Sequence, residues 1–469
     1  MQYALLFPMF VYLSHVYSQN FVDTVYSINT ITNEEYGQLT NFAGEQVSLH
    51  MDISYPTNDV VPSCGRPLAI IIHGGAWIDG SKNEGYIPGI RADFAKRGYV
   101  AVAINYRLGF FQTEIPKNCN IENWNCINSA DSSEWSRALY RGIQDAKGAL
   151  RFMINNQTTY QIDASNVYVI GESAGAFIAL GVGYMDHEAE KPIDCGAIAS
   201  VLAPHQNYYA PCIQGSTFDI PIQDMDLSRP DLGSISGNLN PTAEPYIIKG
   251  IGSIYGGLYE DLFTLKTYSN SPKLYMFHQP NDLIVPLTFN RLLSGFNTCA
   301  MNTGCLNIQH RKWTYGSAGI SNMIDTLNIP ADFKPEVRYE PTTNNADCIQ
   351  QALNPILGGH QLDNYWSRTS SMADFFAESI GTNDCAILSS LNEDLDYTNV
   401  FPNPVSDVLN IRIGVNSEIT LYDMQGKIIK HICASKTIES IDVKELKIGI
   451  YLLKISLNNQ NKVYKVVKQ

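Results

Sequence analysis

No stretch of this 469-residue chain reaches the length of apolar sequence that a membrane span needs. Positive charge is scarce. Lys and Arg number 32 against 46 Asp and Glu, a net charge of −14. That balance argues against nucleic acid or an anionic membrane as a main partner. None of the ten cysteines stands in the Cys-x-x-Cys spacing of a zinc ribbon, so neither a metal nor another cofactor is expected. Charged residues make up only 17% of the chain and hydrophobic ones 45%, which is a globular rather than a disordered composition. The length allows a large core and more than one domain.

The cysteines fit an oxidising compartment. By proximity, Cys119 would pair with Cys126, Cys195 with Cys212 and Cys299 with Cys305. Cys348 and Cys385 would close a longer loop, leaving Cys64 and Cys433 over. A short apolar block runs from Met1 to Leu13, with small and polar residues at Ser14, Ser18 and Gln19. It reads as a signal peptide over residues 1–18, although no Lys or Arg precedes the block.

Alternation over Glu45 to Pro56 predicts a half-exposed strand. Three continuously apolar runs, Leu68–Ile72, Tyr99–Tyr106 and Val167–Ile170, predict strands buried on both faces of a mostly parallel sheet. Apolar residues from Trp135 to Ile154 recur at helical spacing and predict a crossover helix over 134–155. Residues 197–202 and 272–278 read as further strands, and Leu362 to Ile380 as a final helix with Trp366, Met372, Phe375 and Phe376 facing inward. Residues 291–340 read as irregular. Residues 205–270 are rich in Pro, Gly, Ser and Tyr and read as a cap insertion. Strands alternating with helices place the chain in the α/β class.

Two loops carry chemistry. Gly171-Glu172-Ser173-Ala174-Gly175 lies between a buried strand and a buried helix, the setting of a nucleophile elbow. Small neighbours let strand and helix cross closely beneath a serine that points outward. His73-Gly74-Gly75-Ala76-Trp77 follows another buried strand, where backbone N–H groups of an oxyanion hole are expected. Gly74, Gly75 and Ala174 are the candidate donors. His73 is expected to orient or pack; Trp77 either lines the site or packs.

A serine hydroxyl needs a base, and the base needs an acid to orient it. The chain order Ser, acid, His selects Ser173, Asp282 on the loop after residues 272–278, and His360 after two glycines. His205 and His310 are rival bases, and Asp226 and Asp347 weaker rival acids.

The two loops together resemble those of α/β-hydrolase carboxylesterases of the hormone-sensitive-lipase and feruloyl- or acetylxylan-esterase-like kind, over roughly residues 45–380. The resemblance implies an α/β-hydrolase fold and a Ser173–His360–Asp282 triad. One departure is the long span from Asp282 to His360. The C-terminus carries a second resemblance. Phe401-Pro402-Asn403-Pro404, an apparent hairpin around Asp423–Lys427 and Gly449-Ile450-Tyr451 resemble the type IX secretion C-terminal sorting domain of Bacteroidetes-type bacteria, a small β-sandwich usually removed on export. From Phe401 to Gln469 there are ten Lys and Arg against six Asp and Glu, so this part carries +4 and the rest −18.

The expected organisation is a signal peptide over 1–18, a catalytic domain over 19–390, a linker over 391–399 and a sorting domain over 400–469. The expected activity is secreted serine carboxylesterase, acting on a small-molecule or polysaccharide-linked ester and exported through the periplasm by the type IX machinery. The rivals are a lipid-type short-chain esterase and a non-catalytic binding protein on the same scaffold.

Overall fold

The computed structural model describes residues 21–111, 132–198, 211–212, 229–242, 244–262, 271–298, 308–327, 334–341, 359–380, 399–413, 417–434, 438–457 and 460–469. The proposed signal peptide, the rivals His205, Asp226 and Asp347, and Cys119, Cys126, Cys299, Cys305, Cys348 and Cys385 lie outside these residues. Contacts divide the chain into two compact units, Met1–Ile380 and Gly381–Gln469.

The first unit is built on eight strands: β1 (Ile28–Thr40), β2 (Gln46–Pro56), β3 (Arg66–Ile72), β4 (Val100–Ile104), β5 (Ile162–Glu172), β6 (Ile248–Ile254), β7 (Lys273–His278) and β8 (Val337–Pro341). Their order in one sheet is β1-β2-β4-β3-β5-β6-β7-β8. β2 runs antiparallel to β1 and β4. Every pairing from β4 to β8 is parallel. This is an α/β-hydrolase sheet.

The apolar runs follow from two covered faces. On one side Leu68, Ile70 and Ile72 of β3 pack with helices α2 (Ser132–Asn155) and α3 (Ala174–Tyr184). On the other, Ala69 and Ile71 pack with α1 (Ile87–Lys96) and α5 (Tyr365–Ala377). Each fully buried Ile or Phe in these layers contributes about 1.5–3 kcal/mol.

Several expectations change. The strand next to β5 is β6; of the strand expected over 197–202, Ile198 makes an isolated bridge with Arg229 and residues 199–202 lie outside the described residues. β6 falls inside the span read as a cap, so 205–270 is not one continuous insertion. Its sequence, Ile-Lys-Gly-Ile-Gly-Ser-Ile, hides the strand because glycines break the apolar run. They are needed there: a Cβ at Gly252 would sit 2.5 Å from the Met372 sulfur of α5, and one at Gly250 2.8 Å from Phe376. Residues 229–240 lie along α2, fastened through their carbonyls. Arg137 donates to Pro230 O, Gln144 to Leu232 O and Ser234 O, and Arg151 to Leu239 O. The stretch read as irregular holds a strand (Trp313–Gly316), helix α4 (Ser317–Thr326) and β8. That short strand joins Phe289–Arg291 and Gly257–Tyr259 in a three-stranded antiparallel sheet. The last helix does not turn Trp366 inward; it is 63% exposed, edge-on to Tyr365. β2 is half-exposed only in its first half, because its second half pairs on both sides.

The cysteine pairing also changes. Cys195 is buried and free, its thiol donating towards Ser136 O at 3.7 Å, so it does not pair with Cys212. Cys64, expected to be left over, is disulfide-bonded. Cys433 is free and exposed.

The second unit is all β. Strands β9 (Asn399–Phe401), β10 (Val408–Arg412) and β13 (Ile438–Asp442) form one antiparallel sheet in the order β9-β10-β13. Strands β11 (Glu418–Tyr422), β12 (Ile428–Cys433), β14 (Gly449–Leu457) and β15 (Gln460–Lys468) form another, in the order β12-β11-β14-β15. Leu409, Ile411, Ile419, Leu421, Leu453 and Ile455 build its core.

Candidate active site

Chain direction gathers the site. In a mostly parallel sheet, the loops after β3, β5 and β7 all emerge at one edge. Ser173 sits between β5 and α3 with φ 51° and ψ −123°, a sparsely populated conformation for a non-glycine residue. Its N–H donates to Ile254 O at 2.9 Å, which pins the turn to the end of β6. The turn fits only because position 175 lacks a side chain: a Cβ there would lie 2.3 Å from Ile72 O.

His360 Nε2 and Ser173 Oγ are 2.7 Å apart, and His360 Nδ1 lies 2.7 Å from Asp282 Oδ2. The three residues therefore form one hydrogen-bonded line. Gly359 makes the last approach possible, since a Cβ there would meet Asn281 O at 2.4 Å. Asp282 is buried. Its Oδ1 accepts the N–H groups of Ile284 at 2.8 Å and Val285 at 3.0 Å. Burial by itself would raise the Asp282 carboxyl. The charge on His360 and the hydrogen bonds from His278 and His360 outweigh it, holding the group down at about 2.

The loop after β3 lies against the serine. A Cβ at Gly74 would be 3.0 Å from Ser173 Cβ. Gly75 has φ +106° and a Cβ there would sit 2.0 Å from Asp79 O, so only glycine is accommodated. Gly75 O accepts the N–H groups of Ile78 and Asp79, both at 3.0 Å. Tyr106 Oη donates to His73 O at 3.1 Å and reaches Gly74 O at 3.3 Å, and its ring stacks on His73 at 4.4 Å. The N–H of Ala174, in the first turn of α3, has no acceptor within its helix.

His73 is buried, its Nδ1 2.7 Å from Gly74 O, and burial lowers the ring to about 4. Trp77 is also buried, among Trp135, Phe177 and Tyr259. The rival His310 lies exposed on the turn Ile308–His310. Among the described residues no group of three or more His, Cys, Asp and Glu is placed to hold a metal ion. No helix there is long and apolar enough to cross a membrane.

Sequence reasoning missed four residues around this line. Glu172 Oε2 accepts Tyr255 Oη at 2.8 Å, and burial raises the Glu172 carboxyl against that hydrogen bond. The Tyr255 ring lies 4.7 Å from the His360 ring. Tyr106 holds the glycine loop. His278 contacts Asp282 from the far side, Nε2 to Oδ2 at 3.1 Å. A histidine closing a strand four residues before the acid was the one available signal.

Residues 51–125 and 133–208 match the BD-FAE family model, and residues 399–469 match the secretion system C-terminal sorting domain. Two separate parts of the chain are thus similar to a BD-FAE domain and to a C-terminal sorting domain. The BD-FAE match spans Gly74, Gly75, Ser173 and Ala174, whereas Asp282 and His360 fall beyond it. A neuroligin-like protein, glit-1, of Caenorhabditis elegans is 31% identical over 135 residues, 29% of this chain and 16% of that protein. A probable isoprenylcysteine alpha-carbonyl methylesterase, ICMEL1, of Oryza sativa subsp. japonica is 30% identical over 136 residues, 29% of this chain and 25% of that protein. The chain thus spans about a sixth to a quarter of the length of these curated relatives. Thermogutta terrifontis esterase 2 aligns over 76% of this chain and 95% of its own, with 16% identity and a TM-score of 0.36.

Proposed function

We propose that the chain is an exported serine carboxylesterase. The observation that carries this reading is the hydrogen-bonded line from Ser173 through His360 to Asp282, with both links at 2.7 Å. Ser173 Oγ attacks the carbonyl carbon of an ester and passes its proton to His360 Nε2. Asp282 fixes the ring with Nδ1–H towards itself and stabilises the imidazolium. The N–H groups of Gly74, Gly75 and Ala174 receive the negative oxygen of the tetrahedral adduct. His360 returns the proton to the departing alcohol. A water molecule, deprotonated by the same ring, then releases the acid and frees Ser173.

The substrates proposed are acetyl or feruloyl esters on plant polysaccharide. The esterase-like loop pair and the sorting domain support this, since an exported enzyme meets polymers outside the cell. The sorting domain would route the chain through the periplasm to the surface or medium by the type IX machinery. Disulfides suit that route. The cap proposal narrows to the parts of 205–270 outside β6 and outside the stretch fastened to α2.

The test is hydrolysis of p-nitrophenyl acetate by the full chain beside Ser173→Ala. Loss of at least ~10³-fold in kcat in the variant is the expected result. Acetylated xylan, feruloyl esters and short-chain glycerides then separate the polysaccharide reading from a lipid-type one. No turnover of any ester by the unaltered chain would overturn the proposal in favour of a binding protein.

A further inference from the structure

Asp282 is held by two histidines. Its Oδ2 faces His360 Nδ1 at 2.7 Å and His278 Nε2 at 3.1 Å. His278 closes β7, is wholly buried, and is not required by the three-residue scheme. Its other nitrogen, Nδ1, meets the N–H of Ser317 at 3.4 Å and Ser317 Oγ at 3.2 Å, at the first turn of α4.

These contacts fix the tautomer. A backbone N–H only donates, so Nδ1 of His278 is the acceptor and the ring proton is on Nε2. That proton points at two acceptors, Asp282 Oδ2 and Val285 O at 3.2 Å. The same oxygen that orients His360 therefore takes a second hydrogen bond from behind. Two effects follow. The carboxylate cannot rotate, since Oδ1 is held by Ile284 and Val285 and Oδ2 by His278. Part of the charge on Oδ2 is also taken up by His278, which weakens its hold on a protonated His360.

We propose that His278, oriented by Ser317, is a positioning residue that clamps Asp282 and sets how strongly its Oδ2 holds the His360 ring. The inference rests on the esterase reading above for its kinetic effect, but not for its tautomer.

The test uses the full chain with p-nitrophenyl acetate. His278→Leu removes the donor and keeps the volume. It should lower kcat roughly 10–100-fold with KM changed less than about twofold, because a misplaced base costs rate rather than binding. The acid limb of the pH–rate profile should move to higher pH, since Oδ2 then holds the protonated ring more strongly. The other groups facing His360 are Ser173, Glu172 and Tyr255, all unaltered in the variant. His278→Gln, whose amide can donate to Asp282 and accept from Ser317, should recover most of the rate and the original limb.

An unchanged rate and limb in folded His278→Leu would overturn the proposal. So would equal losses in the Leu and Gln variants with no movement of the limb, which is the behaviour of a packing residue. If the Leu variant does not fold, ¹⁵N-histidine NMR of the unaltered chain decides: a proton on Nε2 of His278 supports the clamp, and one on Nδ1 overturns it. If the unaltered chain hydrolyses no ester, the esterase reading fails, and the NMR result still judges the tautomer separately.

Discussion

Asp282 accepts four hydrogen bonds, two at each oxygen. Asp282→Asn presents an amide in place of one oxygen, so His360 can be held in the wrong tautomer while the fold is retained. Steady-state kinetics should show kcat down by about 10³–10⁴ with little change in KM, by analogy with triads whose acid is replaced by its amide. A matched rise in KM would instead indicate a collapsed site. His73 gives a pH-dependent stability. Its ring is lowered from 6.5 to about 4 by burial, so the folded state disfavours the charged form. The stability this represents is fully present above pH 6.5 and is lost as pH falls towards 4, where the unfolded chain binds the proton and the folded chain does not. The shift corresponds to about 3 kcal/mol. In denaturant titrations at pH 7 and pH 4.5, His73→Asn should lose about 2–3 kcal/mol less between the two pH values than the unaltered chain. Equal losses would mean the ring is hydrated. At this scale the sequence was legible where chemistry demands a pattern: glycines beside Ser173, and the order Ser, Asp, His. Tyr106 and Tyr255 were not legible, because each acts through a partner distant in sequence or through a backbone atom, and His278 left as its signal only its place four residues before Asp282.

Strand β6 shows where periodicity fails. A central strand is normally recognised by an unbroken apolar run. Here Gly250 and Gly252 replace the apolar side chains on one face, because Phe376 and Met372 of α5 occupy that space. The apolar signal for the sheet is therefore carried by a helix more than a hundred residues later. β1 was missed for the opposite reason. It is an edge strand with a largely polar sequence, paired only to β2. By contrast α2 was legible, since its apolar residues all face the core. Its buried arginines and Gln144 have their own use, holding the carbonyls of 229–240 where no strand or helix could satisfy them. The β6–α5 contact makes a measurable prediction. Gly252→Ala should destabilise by about 1–3 kcal/mol through overpacking against Met372 and Ile170. Met372→Ala should destabilise by about 2–5 kcal/mol through a cavity. The double variant should lose less than the sum, because the new methyl enters the space the methionine leaves. Strict additivity in urea unfolding would show that the two sites do not touch.

At the level of the whole molecule, each unit has its own hydrophobic core. The first has layers on both faces of the eight-stranded sheet, and the second has Leu409, Ile411, Ile419, Leu421, Leu453 and Ile455 between its strands. All residues of the candidate site, including His278 and Ser317, belong to the first unit. The charge break between −18 and +4 falls at residue 401, inside the second unit: residues 381–400 add four Asp and Glu and no Lys or Arg, so the two units carry −14 and 0. Independent cores imply independent unfolding, since cooperativity is carried by contacts within a core. Calorimetry of the full chain should therefore show two transitions. A chain ended at Thr398 should keep only one of them and hydrolyse p-nitrophenyl acetate with the full chain's kcat/KM within about twofold. The smaller transition, of a unit of under a hundred residues, should be the one that disappears. A single transition in the full chain, or loss of turnover on truncation, would mean that the C-terminal unit supports the site as well as export. Charge and turn pattern mark the C-terminal part in the sequence from residue 401, but energetic independence is a property of packed cores, and only unfolding measures it.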